Sequence, residues 1–153
     1  MNKELMTQLF MTKDSWTPLV IRLTIALVIL PHVLQKLFGW FNGPGLSGEM
    51  KFMTRVVHMS PLLAVTAITI ECAGCFMLLA GIGTRLAAAA IFLLFIGIIA
   101  RVHFKNGYFM NFFGKLPAGQ EGYEFHLLVL GLCIASILEG GGKWSLDKLL
   151  YGQ

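Results

Sequence analysis

"TPLVIRLTIALVILPHVLQKLFGWFNGPG", residues 17–45, decides how the rest of the chain is read. From Thr17 to Phe38 it is almost wholly apolar, interrupted by Arg22 near the start and by His32, Gln35 and Lys36 near the end. About 20 mostly apolar residues in an α-helix cross the roughly 30 Å hydrocarbon layer of a bilayer, and this segment is long enough. Hydrocarbon offers the backbone no hydrogen-bond partner, so a lone span must be a helix rather than a strand. Pro31 adds a kink and frees a backbone carbonyl near His32. The Gly and Pro punctuation of "GWFNGPG" then ends the helix.

Composition agrees with a membrane reading for all 153 residues. The chain is 56% hydrophobic and 13% charged, whereas soluble domains run about 45–50% apolar and about 25% charged. Its mean hydropathy is +0.73. The net charge of +4 is read as Lys and Arg meeting anionic lipid headgroups, so the bilayer is the expected partner and nucleic acid is excluded. The three cysteines lie in apolar runs, against a disulfide-stapled secreted domain. The first residues, "MNKELMTQLFMTKDSWT", lack a compact apolar core and a small-residue cleavage site, so the first span is expected to remain as an uncleaved anchor.

Three further segments qualify as spans: residues 61–83, 86–104 and 123–139, the last being the shortest. The expected fold is therefore all-α, a single integral membrane domain over residues 1–153, built as a four-helix bundle with both termini on one side. "GIGTR", Gly81 to Arg85, makes a tight hairpin turn between the second and third spans. Residues 48–59 place Phe52, Val56 and Met59 on one helical face, opposite Lys51 and Arg55, as in a short helix lying in the interface. Trp16 and Trp144 mark one aromatic belt, and Trp40, Phe41, Tyr108 and Tyr123 the other. Lys and Arg divide evenly between the two sides, so the positive-inside rule leaves orientation open.

Ionisable residues inside spans are functional candidates by default. Glu71 lies about 15 Å into the second span at about 1.5 Å per residue, where a carboxyl must be protonated or paired. Arg22 is expected to snorkel to headgroups, and Lys36 is long enough to do so at the other interface. His32 is too short to snorkel and is expected to face protein or a water-filled cavity. Arg101 and His103 are about 200° apart on an ideal helix, so only one of them is expected to turn inward, and His103 is the shorter. On the fourth span Glu124 is the expected inward group and His126 points elsewhere. These groups gather at one mouth of the bundle, suggesting a polar funnel that leads down to Glu71.

Cys72-Ala-Gly-Cys75 has the spacing of a redox pair, but Ala73 and Gly74 suggest a small-residue packing seam in which cysteine acts as a small apolar residue. The His and acidic residues lack tight ligand spacing, so no metal site is expected. No phosphate loop, dinucleotide fingerprint or serine-nucleophile elbow is present.

"HVLQKLFGWFNGPG", Glu71, "GIGTR", "VHFKNGYFMN", "EGYEF" and "GGGKWSLDKLL" occur in the order and spacing of the DoxX family, which the chain resembles from about residue 18 to 150. The chain departs from the pattern at Val33, where the family often has a small residue. It departs again at Cys72 to Cys75, where Gly-Gly is frequent, so cysteine redox chemistry would be peculiar to this chain. The resemblance implies a four-helix protein of the bacterial or archaeal cytoplasmic membrane with cytoplasmic termini. Namesake relatives are subunits of an archaeal thiosulfate:quinone oxidoreductase, others are linked to oxidative-stress complexes, and many have no known activity. The fold is therefore fixed more firmly than the function.

The leading expectation is a quinone-linked redox subunit. A planar, apolar ring with two carbonyl oxygens suits an aromatic-lined pocket with polar donors and a proton-carrying carboxylate. Glu71 and His32 are the expected catalytic pair. Gln35, Lys36, Trp40, His103, Asn106, Tyr123 and Glu124 are the expected ligand set, with quinone the expected cofactor and no covalent cofactor evident. Cys72 and Cys75 are held as a redox alternative. Expected protein partners are an oxidoreductase subunit or a second copy of the chain. A non-enzymatic anchor for an oxidoreductase complex and a small-molecule transporter remain the alternatives, and whether the chain is itself an enzyme stays open.

Overall fold

The computed structural model describes residues 10–117 and 120–151, and these are helical with no strand among them. The first helix, α1 (Trp16–Phe38), begins where the Ser15 hydroxyl accepts from the Thr17 amide at 3.3 Å. It ends at Gly39 in the left-handed region. Residues Leu19, Arg22, Ile25, Ala26, Ile29 and Val33 form its buried stripe, at the 3–4 spacing of one helical face. Next comes α2 (Gly45–Lys51), which runs on as a π-helical turn over Phe52–Val56. Ser60 caps α3 (Pro61–Ala80), accepting from Leu63 N at 3.3 Å, and Pro61 stands at the first helical position, where its missing N–H costs nothing.

The next helix, α4 (Thr84–Ile98), continues through a π-helical turn at Ile99–His103 and a 3₁₀ turn at Phe104–Asn106. It is followed by α5 (Glu124–Glu139) and the short α6 (Leu146–Tyr151). Among the described residues three helical segments are long and apolar enough to cross a membrane: α1, α3, and α4 with its continuation to Asn106. By contrast α5 matches the expected fourth segment to within one residue, but its 16 residues, about 24 Å at 1.5 Å per residue, are shorter than those three. Its start is fixed by the preceding loop. There the amides of Gly122, Tyr123 and Glu124 donate to the carbonyls of Phe109, Gly107 and Tyr108, which ties the loop's two ends together.

Helices α1 and α4 each pack against both α3 and α5. Ile25, Ile29, Val33, Cys75, Leu78, Ile91, Phe95 and Val129 belong to the one apolar core. Gly74 lets α3 and α4 approach closely, because a Cβ there would fall 2.9 Å from Ile91 Cδ1. The "ECAGC" stretch is a packing seam in that sense.

Arg22 corrects an expectation. It does not reach for headgroups but is only 2% exposed. Its Nη1 donates to the carbonyls of Leu78 and Leu79, at 2.7 Å each. Nε donates to Gly141 O at 2.9 Å, and Nη2 to Trp144 O at 3.1 Å. The last carbonyls of a helix have no partner within it, and Arg22 supplies one for α3 from α1. Arg85 does the same for α5, donating to Ile137 O and Leu138 O. Gly81, at φ 67, makes the turn between α3 and α4 and leaves no room for a side chain against Ser145.

Asp147, 2% exposed, closes the same end. Its two oxygens accept from the amides of Gly83 (2.7 Å) and Thr84 (2.9 Å), capping α4 from a distant part of the chain. An acceptor at a helix N-terminus also meets the positive end of the helix dipole. Asp147→Ala orphans both amides and is expected to cost about 1–3 kcal/mol, read as a lower unfolding midpoint in detergent. Asp147→Asn, which keeps one acceptor, should lose less. Equal loss in both variants would show that bulk rather than hydrogen bonding is at stake.

Candidate functional site

The polar groups of the first three spans meet beside α2, not in the centre of the helices. Lys36, in the last turn of α1, turns its Nζ inward to Glu71 Oε2 of α3 at 2.5 Å. Glu49 of α2 approaches the same ammonium at 3.8 Å. Glu71 and Glu49 are only 6% and 9% exposed, so two buried carboxyls face one cation. Glu71 is thus paired, one of the two states its depth required.

These three side chains stand at the wall of a cavity of about 600 Å³ enclosed by α2, α3 and α4. The rest of its lining is largely apolar, with Met53, Ala67, Ile70 and Leu94 among the contributors. Phe52, Leu63 and Leu93 also line it and remain 44%, 42% and 69% exposed. The cavity therefore opens sideways, on the outer surface of the packed helices. The expected central funnel is replaced by the apolar core of α1, α3, α4 and α5.

Two π-helical turns flank the cavity. In the first, Val57 N donates to Phe52 O, five residues back. In the second, Phe104 N donates to Ile99 O. Such wide turns interrupt the 3.6-residue phase and are frequent at functional sites. Arg101 and His103, both in the second turn, border the cavity, although an ideal helix would turn one of them away. Arg101 stays exposed and His103 is half-buried.

His103 Nδ1 donates to the carbonyl of Glu121 at 2.7 Å, since a carbonyl can only accept. In the neutral ring this leaves Nε2 as an acceptor. Its ring lies 4.3 Å from that of His126, which also packs against Phe95 at 5.5 Å. His126 is 8% exposed and its Nδ1 has no hydrogen-bond partner among the described residues. The expected order on α5 is thus reversed. His126 is the inward group, and Glu124 accepts from Met110 N at 3.3 Å, holding the loop.

Lys36, Glu71 and His103 come together at the cavity, and the other expected residues serve elsewhere. His32 is exposed on α1, against the expectation that it faces the interior, and lies within electrostatic range of His126. Gln35 Nε2 donates to Phe41 O at 3.4 Å, steadying the turn after α1. Trp40 is 57% exposed. Tyr123 packs its ring against Phe104 and Tyr108, and Asn106 Nδ2 donates to Glu121 O at 3.1 Å.

Cys72 borders a separate apolar groove of about 390 Å³ with Leu37, Met50 and Ile68. Cys75 is buried and donates to Ala26 O at 3.4 Å, and both thiols are free. Among the described residues no group of three or more His, Cys, Asp or Glu is placed to hold a metal ion.

Two participants were not anticipated. Glu49 lies three and four residues before Phe52 and Met53, so it shares the apolar face of its helix. A carboxyl on that face was the available signal. His126 gave no such signal, because its burial follows from how α5 rotates against α4.

The arrangement offers an apolar molecule a largely apolar wall, and offers an acceptor oxygen on that molecule a charged donor at Lys36. No curated protein and no solved structure matches the chain. A family model, DoxX, matches residues 17–104, a stretch from α1 to the π-helical end of α4 that includes Lys36, Glu49, Glu71 and His103. Covering more than half of the chain, that match places it in the DoxX family.

Proposed function

We propose that this chain is a four-helix membrane protein that binds a quinone in the cavity between α2, α3 and α4, as the quinone-binding subunit of an oxidoreductase whose electron donor sits on a partner protein. Both termini lie on the cytoplasmic side of a bacterial or archaeal cytoplasmic membrane in this reading. The observation that carries it is the sideways opening of a largely apolar cavity with the Lys36–Glu71 pair at its wall. A ligand dissolved in lipid reaches such a site without crossing water. Its volume falls in the roughly 300–1,000 Å³ range of small-molecule sites, which are typically apolar with a few placed polar groups. Lys36 donates to a ring carbonyl, and Glu71 holds the ammonium in place.

The test is binding of menaquinone and ubiquinone analogues to the purified protein in lipid nanodiscs. Saturable binding is expected in the wild type. Glu71→Gln should weaken it about tenfold, equivalent to about 1.4 kcal/mol. Gly97 lines the cavity, and a Cβ there meets nothing within 4 Å, so Gly97→Phe should fill the space and abolish binding in a folded protein. His32→Ala, outside the cavity, should bind normally. No saturable binding in the wild type would overturn the quinone reading and leave anchoring of a partner. A loss in His32→Ala equal to that in Glu71→Gln would move the site away from this cavity.

A further inference from the structure

We propose that Glu49 is a proton-binding site, carrying its proton at neutral pH and presenting a carboxylic O–H as a second hydrogen-bond donor to whatever occupies the cavity. The inference rests on the reading of that cavity as a ligand site, and it deepens it. Three observations carry it. Glu49 and Glu71 are both buried, and one ammonium serves both. Lys36 favours Glu71, at 2.5 Å against 3.8 Å, so Glu49 has the weaker partner. Glu49 also lines the cavity, facing its apolar walls.

A buried carboxyl beside a like charge and short of a cation is neutralised by a proton. Burial accordingly pushes the Glu49 carboxyl above its usual range, and the Glu71 charge adds to this against the pull of Lys36. The other charged or titratable neighbours do not reverse it. Lys51 and Arg55, on its own element, are both exposed. Across the cavity Arg101 is exposed too, and His103 is bonded to Glu121 O.

A neutral Glu49 changes the chemistry of the site. An ionised carboxylate only accepts hydrogen bonds, whereas the protonated form donates one. Lys36 and Glu49 are then two donors on one wall, suited to a ligand with carbonyl oxygens and unsuited to a cation. Because the proton belongs to the empty site, the proposal can be examined without any ligand.

The experiment is infrared spectroscopy of the ligand-free protein in lipid, following the C=O stretch of protonated carboxyl groups from acid to alkaline pH and in D₂O. The wild type should keep a band of about one carboxyl at neutral pH, shifted by deuteration and lost only as pH rises further. Glu49→Gln should remove it. Glu71→Gln should remove it too, because Lys36 is then free to pair with Glu49. Lys36→Met should strengthen the band instead of removing it. Absence of the band in the wild type at neutral pH, or its survival in Glu49→Gln, overturns the proposal. Circular dichroism of each variant separates these outcomes from misfolding. A band that behaves as described in a protein that binds no quinone supports the proton site and rejects only the quinone.

Discussion

Arg22→Met is expected to lose about 3–5 kcal/mol of stability, because it leaves several buried carbonyls without a donor at once. The arginine holds carbonyls from three places: the last turn of α3, Gly141, and the Lys143–Trp144 turn. Methionine fills much of the volume and donates nothing. Each carbonyl left buried and unbonded costs about 1–3 kcal/mol, and water at the helix ends can recover part of that. Arg22→Lys is the informative companion. Its single ammonium cannot reproduce the planar fork that reaches several carbonyls in different directions, so it should recover less than half of the loss. The measurement is the unfolding midpoint in a fixed detergent, followed by helical signal and by tryptophan fluorescence. A loss below about 1 kcal/mol, typical of a surface interaction, would mean that these bonds are exchanged for water at little cost.

The contrast between Arg22 and Lys36 shows what could be read from the sequence. Their positions on α1 differ in an obvious way, one near each end of an apolar run, and both invited the same rule that long cations near helix ends reach for headgroups. Neither obeys it. The rule concerns a helix alone in lipid. It gives way when a neighbouring helix end presents unpartnered carbonyls, or when a carboxylate sits one helix away. The helices themselves were legible because they depend on local apolar length and on caps such as Ser60 with Pro61. The bounds of α5 were equally legible, since it starts one residue after the expected 123 and ends at the expected 139. The cavity was hidden. An ideal 100° step per residue separates Arg101 from His103, yet both border it, because its wall is assembled from side chains of several helices. Glu71 could be singled out by depth alone, but Glu49 needed the interfacial helix to be docked before its carboxyl had a neighbour.

The second large effect separates folding from function at the Lys36–Glu71 pair. Lys36→Met alone leaves two buried carboxyls facing one another without their cation and should cost about 3–5 kcal/mol. Replacing both members, Lys36→Met with Glu71→Leu, puts apolar groups of similar size where an ion pair stood. Such replacements are often neutral or stabilising by about 1–4 kcal/mol. The double variant is therefore expected to regain wild-type stability or exceed it, with a coupling between the two sites of about 2 kcal/mol or more in the double-mutant cycle. Quinone-analogue binding should not return with it, since the apolar pair has no donor for a carbonyl. Stability losses that simply add would show that the pair is not coupled across α1 and α3. A double variant that binds the analogue as the wild type does would remove the pair from the site. Recovery of the fold without recovery of binding would mean that the chain keeps a buried charged pair at the cavity wall for the ligand, at no advantage to folding.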